Sequence, residues 1–422
     1  MKPRRQNTVS GERLTTTTRR LNRRPKTSDN KTESSALPIP TDVVIEIFSR
    51  LPLKSVATCR CVWKLWSSVL RRPDFTDLFL TKSSSRPKIV FNRRKDGKLL
   101  FFSSPQLQNP DENSSVAAHP LMNFTDFNFG SFYKLSGPFR GLVCLLNKQI
   151  SESKTDIVPM IGSPSTGQTL ILPKVKTTRG RVKCLLGYDP VDKQFKVLSM
   201  TQPLNGRKSW DYIMSEHQVL TLGTGKLSWR MIQCCVPHIY PRESICINGV
   251  LYYSSLLRSD AKIVSFDVRS EKFRVIEVKG SLKRALFGDM INYNGKLGLV
   301  ISEYSDGSFG LIFAQSSGFR LWVLEDVEKQ EWSQHFYVLP ASWKNVAGEH
   351  TFEFVGLART TNEIVLSSLC PPYCSYLIYF NPERNTLVRV EIQGLEMGVS
   401  AHQTFLDHVE DVSSIQRLLK VT

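Results

Sequence analysis

Two kinds of recurring unit, a glycine-led apolar strand and a tight acidic or Asn turn, alternate along the chain from Gly141 onward, and no other feature so narrows the folds open to it. One kind is a glycine leading an apolar run: Gly141-Leu142-Val143-Cys144, Gly187-Tyr188, Asn248-Gly249-Val250-Leu251-Tyr252 and Asn294-Gly295-Lys296-Leu297, with Asn362-Glu363-Ile364-Val365-Leu366 as a copy that lacks the glycine. The other is an acidic or Asn turn with a large apolar residue six positions later: Asp189 with Phe195, Asp267 with Phe273, Asp326 with Trp332 and Asn381 with Leu387. Strand alternation follows such turns, as in Val388, Val390 and Ile392 against Arg389 and Glu391. The result is about five units of roughly 45–60 residues, each a small sheet unable to bury its own face, a period that suggests a β-propeller. Lys88-Ile89-Val90-Phe91 and Leu99-Leu100-Phe101-Phe102 flank Asp96-Gly97, a hairpin that adds strands to a closing blade. About six blades are expected, with seven as the neighbouring count and a β-sandwich with extra hairpins as the alternative architecture.

Residues 37–72 carry a different period. Val44, Ile47, Phe48 and Leu51 recur at the three-and-four spacing of one helical face. Pro40 suits a first turn, Thr41 or Asp42 can cap it, and Pro52 stops the helix after Leu51. A second short helix is expected from Lys54 to Arg60. A third, with Val62, Trp66, Val69 and Leu70 on one face, should end at Arg71-Arg72-Pro73. So small a unit has too little interior to bury all this apolar surface, so some of it must face a partner.

These residues resemble a known family. Ile39-Pro40, Asp42-Val43, Glu46-Ile47-Phe48, Arg50-Leu51-Pro52-Leu53-Lys54-Ser55 and Arg60-Cys61-Val62-Trp63-Lys64-Leu65-Trp66 resemble the F-box, through which F-box proteins bind a Skp-family adaptor and so join a cullin-based ubiquitin ligase. Carried over position by position, the resemblance implies that Ile39, Pro40, Val43, Ile47, Phe48, Leu51 and Pro52 line the adaptor-facing surface. Val43 and Phe48 stand where leucine is commoner, and Trp63 where a small residue is usual. Farther on, Phe139-Arg140-Gly141-Leu142-Val143-Cys144, Gly162-Ser163-Pro164-Ser165-Thr166-Gly167-Gln168, Gly187-Tyr188-Asp189-Pro190, Trp229-Arg230 and Ile247-Asn248-Gly249-Val250-Leu251-Tyr252 resemble the F-box-associated domain of the large plant F-box family. The departures are Ser163 in place of Asn before Pro164, and Arg140 in place of a small or Asn residue before Gly141. The implied architecture is multidomain, α plus all-β: a basic tail over 1–35, a three-helix F-box over 36–83, a β-propeller-like (kelch-like) domain over 84–400 and a C-terminal tail or closing segment over 401–422.

Composition bears on partners and compartment. The net charge of +18 and pI near 9.5 raise nucleic acid or anionic surfaces as partners, but much of the excess sits in residues 1–35, where ten Lys and Arg stand among Ser, Thr and Asn. That segment has too little apolar surface to offset its ordering entropy and is expected to be disordered. Arg19-Arg20-Leu21-Asn22-Arg23-Arg24-Pro25-Lys26 fits a nuclear import signal, while the Arg-, Ser- and Thr-rich start as a whole fits an organelle transit peptide or a plain solvated tail. No apolar run is long enough to span a bilayer, and nine cysteines in no small disulfide framework fit a reducing compartment, so the nucleus, the cytoplasm or both are expected.

Catalytic constellations are missing from the sequence. Gly223-Thr224-Gly225-Lys226 lacks the glycine spacing and following helix of a phosphate loop, and the histidines are scattered. No catalysis, cofactor or metal is expected. The function expected is that of a substrate receptor in an SCF-type ubiquitin ligase, with Trp210, Tyr212, His238, Tyr240 and Arg242 as candidate anchors for a protein target. The rivals are a nucleic-acid-associated scaffold, disfavoured because no aromatic stacking platform accompanies the arginines, and a Skp-bound adaptor with no degradative role.

Overall fold

The computed structural model describes residues 39–95, 98–111, 113–121, 135–151, 154–175, 180–203, 216–234, 243–257, 260–304, 309–359, 361–369, 376–395, 400–412, 415 and 418. Six antiparallel sheets form a ring, the six-bladed β-propeller that the turn spacing predicts. Written from the central strand outward, blade 1 is Ser400–His408, Lys88–Lys95, Lys98–Pro105 and His119–Pro120. Blade 2 is Ser136–Phe139, Leu142–Ser151, Lys154–Gly162 and Thr169–Ile171, and blade 3 is Gly180–Asp189, Gln194–Pro203, Glu216–Thr221 and Arg230–Ile232. Blade 4 is Ser244–Ile247, Val250–Leu257, Asp260–Asp267 and Phe273–Ile276, and blade 5 is Asp289–Tyr293, Lys296–Tyr304, Ser316–Asp326 and Glu331–Val338. Blade 6 is Thr351–Ala358, Glu363–Ser368, Tyr376–Asn381 and Thr386–Gln393.

The ring is latched twice. Ser400–His408, from the far end of the chain, pairs antiparallel with Lys88–Lys95 and becomes the central strand of blade 1. Ser115–Ala117 crosses back to lie parallel to Glu391–Gln393 on the outside of blade 6. Each pair of neighbouring blades encloses an apolar cluster, so most strands are covered on both faces and read as near-continuous apolar runs. Val90, Leu99 and Phe101 face blade 2, while Ile89, Phe91, Leu100 and Phe102 face blade 6.

Local turn chemistry sets these hairpins. Arg140-Gly141, Asn248-Gly249 and Asn294-Gly295 have positive φ at both residues, as two-residue hairpin turns matched to strand twist require. At the acidic and Asn turns the side chain accepts hydrogen bonds from backbone amides two or three residues on: Val191 N to Asp189 at 2.9 Å, Ser270 N to Asp267 at 2.6 Å, Glu328 N to Asp326 at 2.7 Å and Glu383 N to Asn381 at 3.1 Å. Gly187 does not open a turn. It lies inside Gly180–Asp189, where a Cβ would come 2.6 Å from Val268, so it is there for blade contact. Both departures from the family pattern are accommodated: Arg140 lies over the Tyr188 ring at 4.5 Å, and Ser163 Oγ accepts from Thr166 N at 3.4 Å.

The turns of successive blades touch around one face of the ring. Gly141 packs under the Val409 carbonyl, Gly249 against Pro190, and Asn248 donates to the Gly295 carbonyl at 3.1 Å. Residues 39–87 are seated at this same face. They form four helices, one more than the three expected: α1 Thr41–Ser49, α2 Leu53–Val62, α3 Lys64–Val69 and α4 Pro73–Ser84. Pro73, read from sequence as a stop, is the first residue of α4, where a missing amide proton costs nothing. Asp74 accepts from Phe75 N at 2.9 Å, and Phe75 and Phe79 fill the helical core.

The segment after the last strand clamps helices to ring. Val412 joins the helical core, and its carbonyl accepts from Arg60 at 3.1 Å, while Glu410 N donates to Ser83 Oγ at 2.8 Å. Lys88 pairs with Glu410 at 2.8 Å. Ile415 and Leu418 then enter the cluster between blades 2 and 3.

Candidate functional site

The candidate site is the outward side of α1, and it follows from the phase of two apolar rows. Successive residues of a helix point about 100° apart, so Val43 and Ile47 form one row and Val44 and Phe48 the next. Val44, Ile45 and Phe48 are buried against Val56, Val69, Leu70, Phe75 and Phe79. Ile39, Val43 and Ile47, four residues apart, are 46%, 46% and 50% exposed, and Pro40 and Pro52 are exposed beside them.

Phe48 therefore departs from the reading that put it on the partner-facing surface. At 7% exposure it is core, its ring meeting Trp66 edge-on at 5.1 Å. Leu51 is half-buried against the same cluster. Pro40 also differs from expectation, since it stands just before the helix and its carbonyl takes the first backbone hydrogen bond, from Val44 at 3.1 Å, with no side-chain cap. The helix ends at Ser49, where Arg86 donates to the carbonyls of Arg50 at 3.1 Å and Ser49 at 3.4 Å. Glu46 bridges α1 to α4 through Lys82 at 2.9 Å and also pairs with Arg50 at 2.6 Å; these hydrogen bonds, Lys82 first, hold its carboxyl below the usual range.

A second exposed apolar pair adjoins this end of the module. Val62, expected on one face of a third helix with Trp66, Val69 and Leu70, instead closes α2 at 67% exposure, because Trp63 is extended (φ −146°, ψ 135°) and breaks the two helices apart. Trp63 is 40% exposed and meets Trp66 edge-on at 5.9 Å, so three rings run from the surface to Phe48. A bulky ring where a small residue is usual is thus accommodated by turning outward.

Trp210, Tyr212, His238, Tyr240 and Arg242 lie outside the described residues, as does the basic tail over 1–35. Pro203, Glu216 and Ile232 stand at the strand ends opposite the Asp189 turn, on the face of the ring away from the helices. No helix among the described residues is long and apolar enough to cross a membrane.

Comparison with known proteins agrees with this layout. Residues 37–78 match the F-box domain, and residues 88–409 match the F-box associated beta propeller domain. The chain belongs to the F-box proteins with an F-box-associated β-propeller. Among its relatives in Arabidopsis thaliana, F-box protein At5g65850 is 49% identical over 416 residues, spanning 97% of this chain and 98% of the relative. F-box protein DOR is 46% identical over 386 residues, spanning 90% and 94%. In this F-box protein, then, the matched F-box holds the exposed Val43 and Ile47 on α1 with Ile39 just before it, and the matched propeller ends within the clamp.

Proposed function

We propose that this F-box protein is the substrate-recognition subunit of an SCF-type (Skp–cullin–F-box) ubiquitin ligase, docking a Skp-family adaptor through α1 and holding a protein target on the propeller. The observation that carries the reading is the bare row Val43 and Ile47, with Ile39 exposed just before the helix, left uncovered although the neighbouring row of the same helix is fully packed. Pro40, Leu51, Pro52, Val62 and Trp63 extend that surface. The chain itself supplies proximity, raising the effective concentration of target lysines near the transfer machinery, and the chemistry of ubiquitin transfer belongs to other subunits. The clamp over 409–412 supports this division, because a receptor that presents a target needs its docking helices held at a fixed angle to the ring. We place the complex in the nucleus, the cytoplasm or both, which a fluorescent fusion tests.

Co-expression with a Skp-family adaptor should give a stable complex on size exclusion. Val43→Asp with Ile47→Asp should weaken adaptor affinity at least a hundredfold with unchanged circular dichroism, since both sites are solvent-exposed in the free chain. An adaptor that ignores the wild-type chain, or binds the double variant equally, refutes the docking assignment. Trp210, Tyr212, His238, Tyr240 and Arg242 remain our proposed target anchors, and their joint replacement by alanine should reduce target capture while leaving adaptor binding intact.

A further inference from the structure

Outer strands are the free edges of a propeller, and five of the six here are short or covered. They run Phe273–Ile276 in blade 4, three residues each in Thr169–Ile171 and Arg230–Ile232, and two in His119–Pro120. The eight-residue outer strand of blade 6, Thr386–Gln393, carries Arg389 and Glu391 and is overlaid at its end by Ser115–Ala117. Blade 5 is the exception. Its outer strand, Glu331–Val338, is also eight residues long, and among the described residues no strand pairs with its far side.

Glu331 opens that edge and Arg320 lies over the Phe336 ring at 5.1 Å, but other guards are few. From Trp332 to Val338 there is no Lys, Arg, Asp, Glu or Pro, and its pairing with the preceding strand runs without a bulge from Leu324↔Trp332 to Gly318↔Val338. Its even-numbered side chains, Trp332, Gln334, Phe336 and Val338, share one face, with Phe336 and Val338 48% and 59% exposed. Beside this row, between blades 4 and 5, lies a groove of about 590 Å³ whose apolar wall is Leu282, Trp322 and Trp332 and whose remaining lining is polar or charged, with Glu277, Lys279 and Lys329 among it.

We infer that Glu331–Val338 is a docking edge for an extended polypeptide segment with alternating apolar side chains, which pairs along the outside of blade 5 and lays one row of side chains beside the Trp332–Val338 face. The molecule itself shows what covers a long edge of this ring: an extended strand laid on blade 6 by residues 115–117. Main-chain pairing supplies affinity and the alternating row supplies selectivity. The inference concerns how a polypeptide is held, and it rests on the receptor reading only in calling that polypeptide a target.

The test uses the full-length protein and an array of ten-residue peptides in which Val, Ile or Phe alternates with Thr or Ser, beside shuffled peptides of the same composition. Alternating peptides should bind selectively, and Gln334→Lys with Val338→Lys should raise their Kd at least tenfold without changing the melting temperature. Methylating alternate backbone nitrogens of the best peptide should do the same with the wild-type protein, which keeps the test independent of how the variant folds. Binding that is absent, equal for shuffled peptides, or indifferent to the lysines or to N-methylation overturns the inference. Adaptor binding is measured on the same samples, so loss of the peptide site with intact adaptor capture leaves the receptor reading standing.

Discussion

The helices and the blades solve the same burial problem in opposite ways. A blade is a small sheet with two apolar faces, and each face meets a neighbour of the same chain, so closing the ring covers nearly all of it. Among the described residues the four helices have no such neighbour beyond Val412, and one row of α1 stays in water. The difference teaches that the ring covers its own blade faces but not α1, while the apolar side chains it does leave exposed, such as Phe336 and Val338, stand on an outer edge strand. The sharpest way to break the comparison is to reopen the ring. Deleting residues 400–422 removes the central strand of blade 1 and the clamp together, and should abolish the cooperative thermal transition; a melt within a few degrees of wild type would show that ring closure does not organise the fold.

Next in size is a contrast within one helix. Phe48→Ala empties a core position and should destabilise the helices by about 3–5 kcal/mol, read as faster amide exchange across α1 and α4. Ile47→Ala, one residue away and half exposed, should change stability by less than about 0.5 kcal/mol. Equal effects would mean that the two rows of α1 are not distinct in solution.

How much of this was legible depended on how local the cause was. The blade count followed from Asn-Gly turns and from Asp or Asn side chains bonding amides two or three residues on, interactions that need no distant partner. Gly187 misled because a glycine required by Val268 of the next blade looks the same in sequence as one required by a turn. On α1, periodicity identified apolar residues at helical spacing but not which of two adjacent rows would be covered, because that is decided by Phe75 and Phe79 of α4. Pro73 hid that helix, since proline both ends and begins helices. The clamp was illegible: Val409 to Val412 has neither strand nor helix period, and its partners on the helices, Arg60 and Ser83, are more than 300 residues away.

The joint between the two regions should also respond to acid. His408, at the end of the closing strand, is buried with its Nε2 at 3.1 Å from Ser165 Oγ and its Nδ1 without a partner. Burial, with Lys88 second, brings its pKa down to about 4, so the folded protein holds it neutral where the unfolded chain is protonated. The unfolded state binds the extra proton between about pH 6.5 and 4, so stability falls as pH drops through that window, by about 3 kcal/mol in all, and the His408 contribution levels off below it. Asp407 next door is raised by burial, against Gln106 and Arg359, and opposes this loss at the acid end. Urea midpoints from pH 7.5 to 4.5 should show the fall in wild type and a flatter profile in His408→Gln.

The smallest expected effect lies on the surface of the ring. Arg274 and Glu328 pair at 3.5 Å with 50% and 83% of their side chains exposed, and water screens such a pair almost completely. Arg274→Ala should therefore move the urea midpoint by no more than measurement error. Glu271, by contrast, holds Lys196 at 2.8 Å with side chains 15% and 10% exposed, across blades 3 and 4. Removing Glu271 strands a buried ammonium that has the Arg269 carbonyl at 3.2 Å as its other acceptor, which should cost about 3 kcal/mol. Both ion pairs join blade edges through similar residues, so a comparable loss in the two variants would mean that charge contributes by position in the ring and not by access to water.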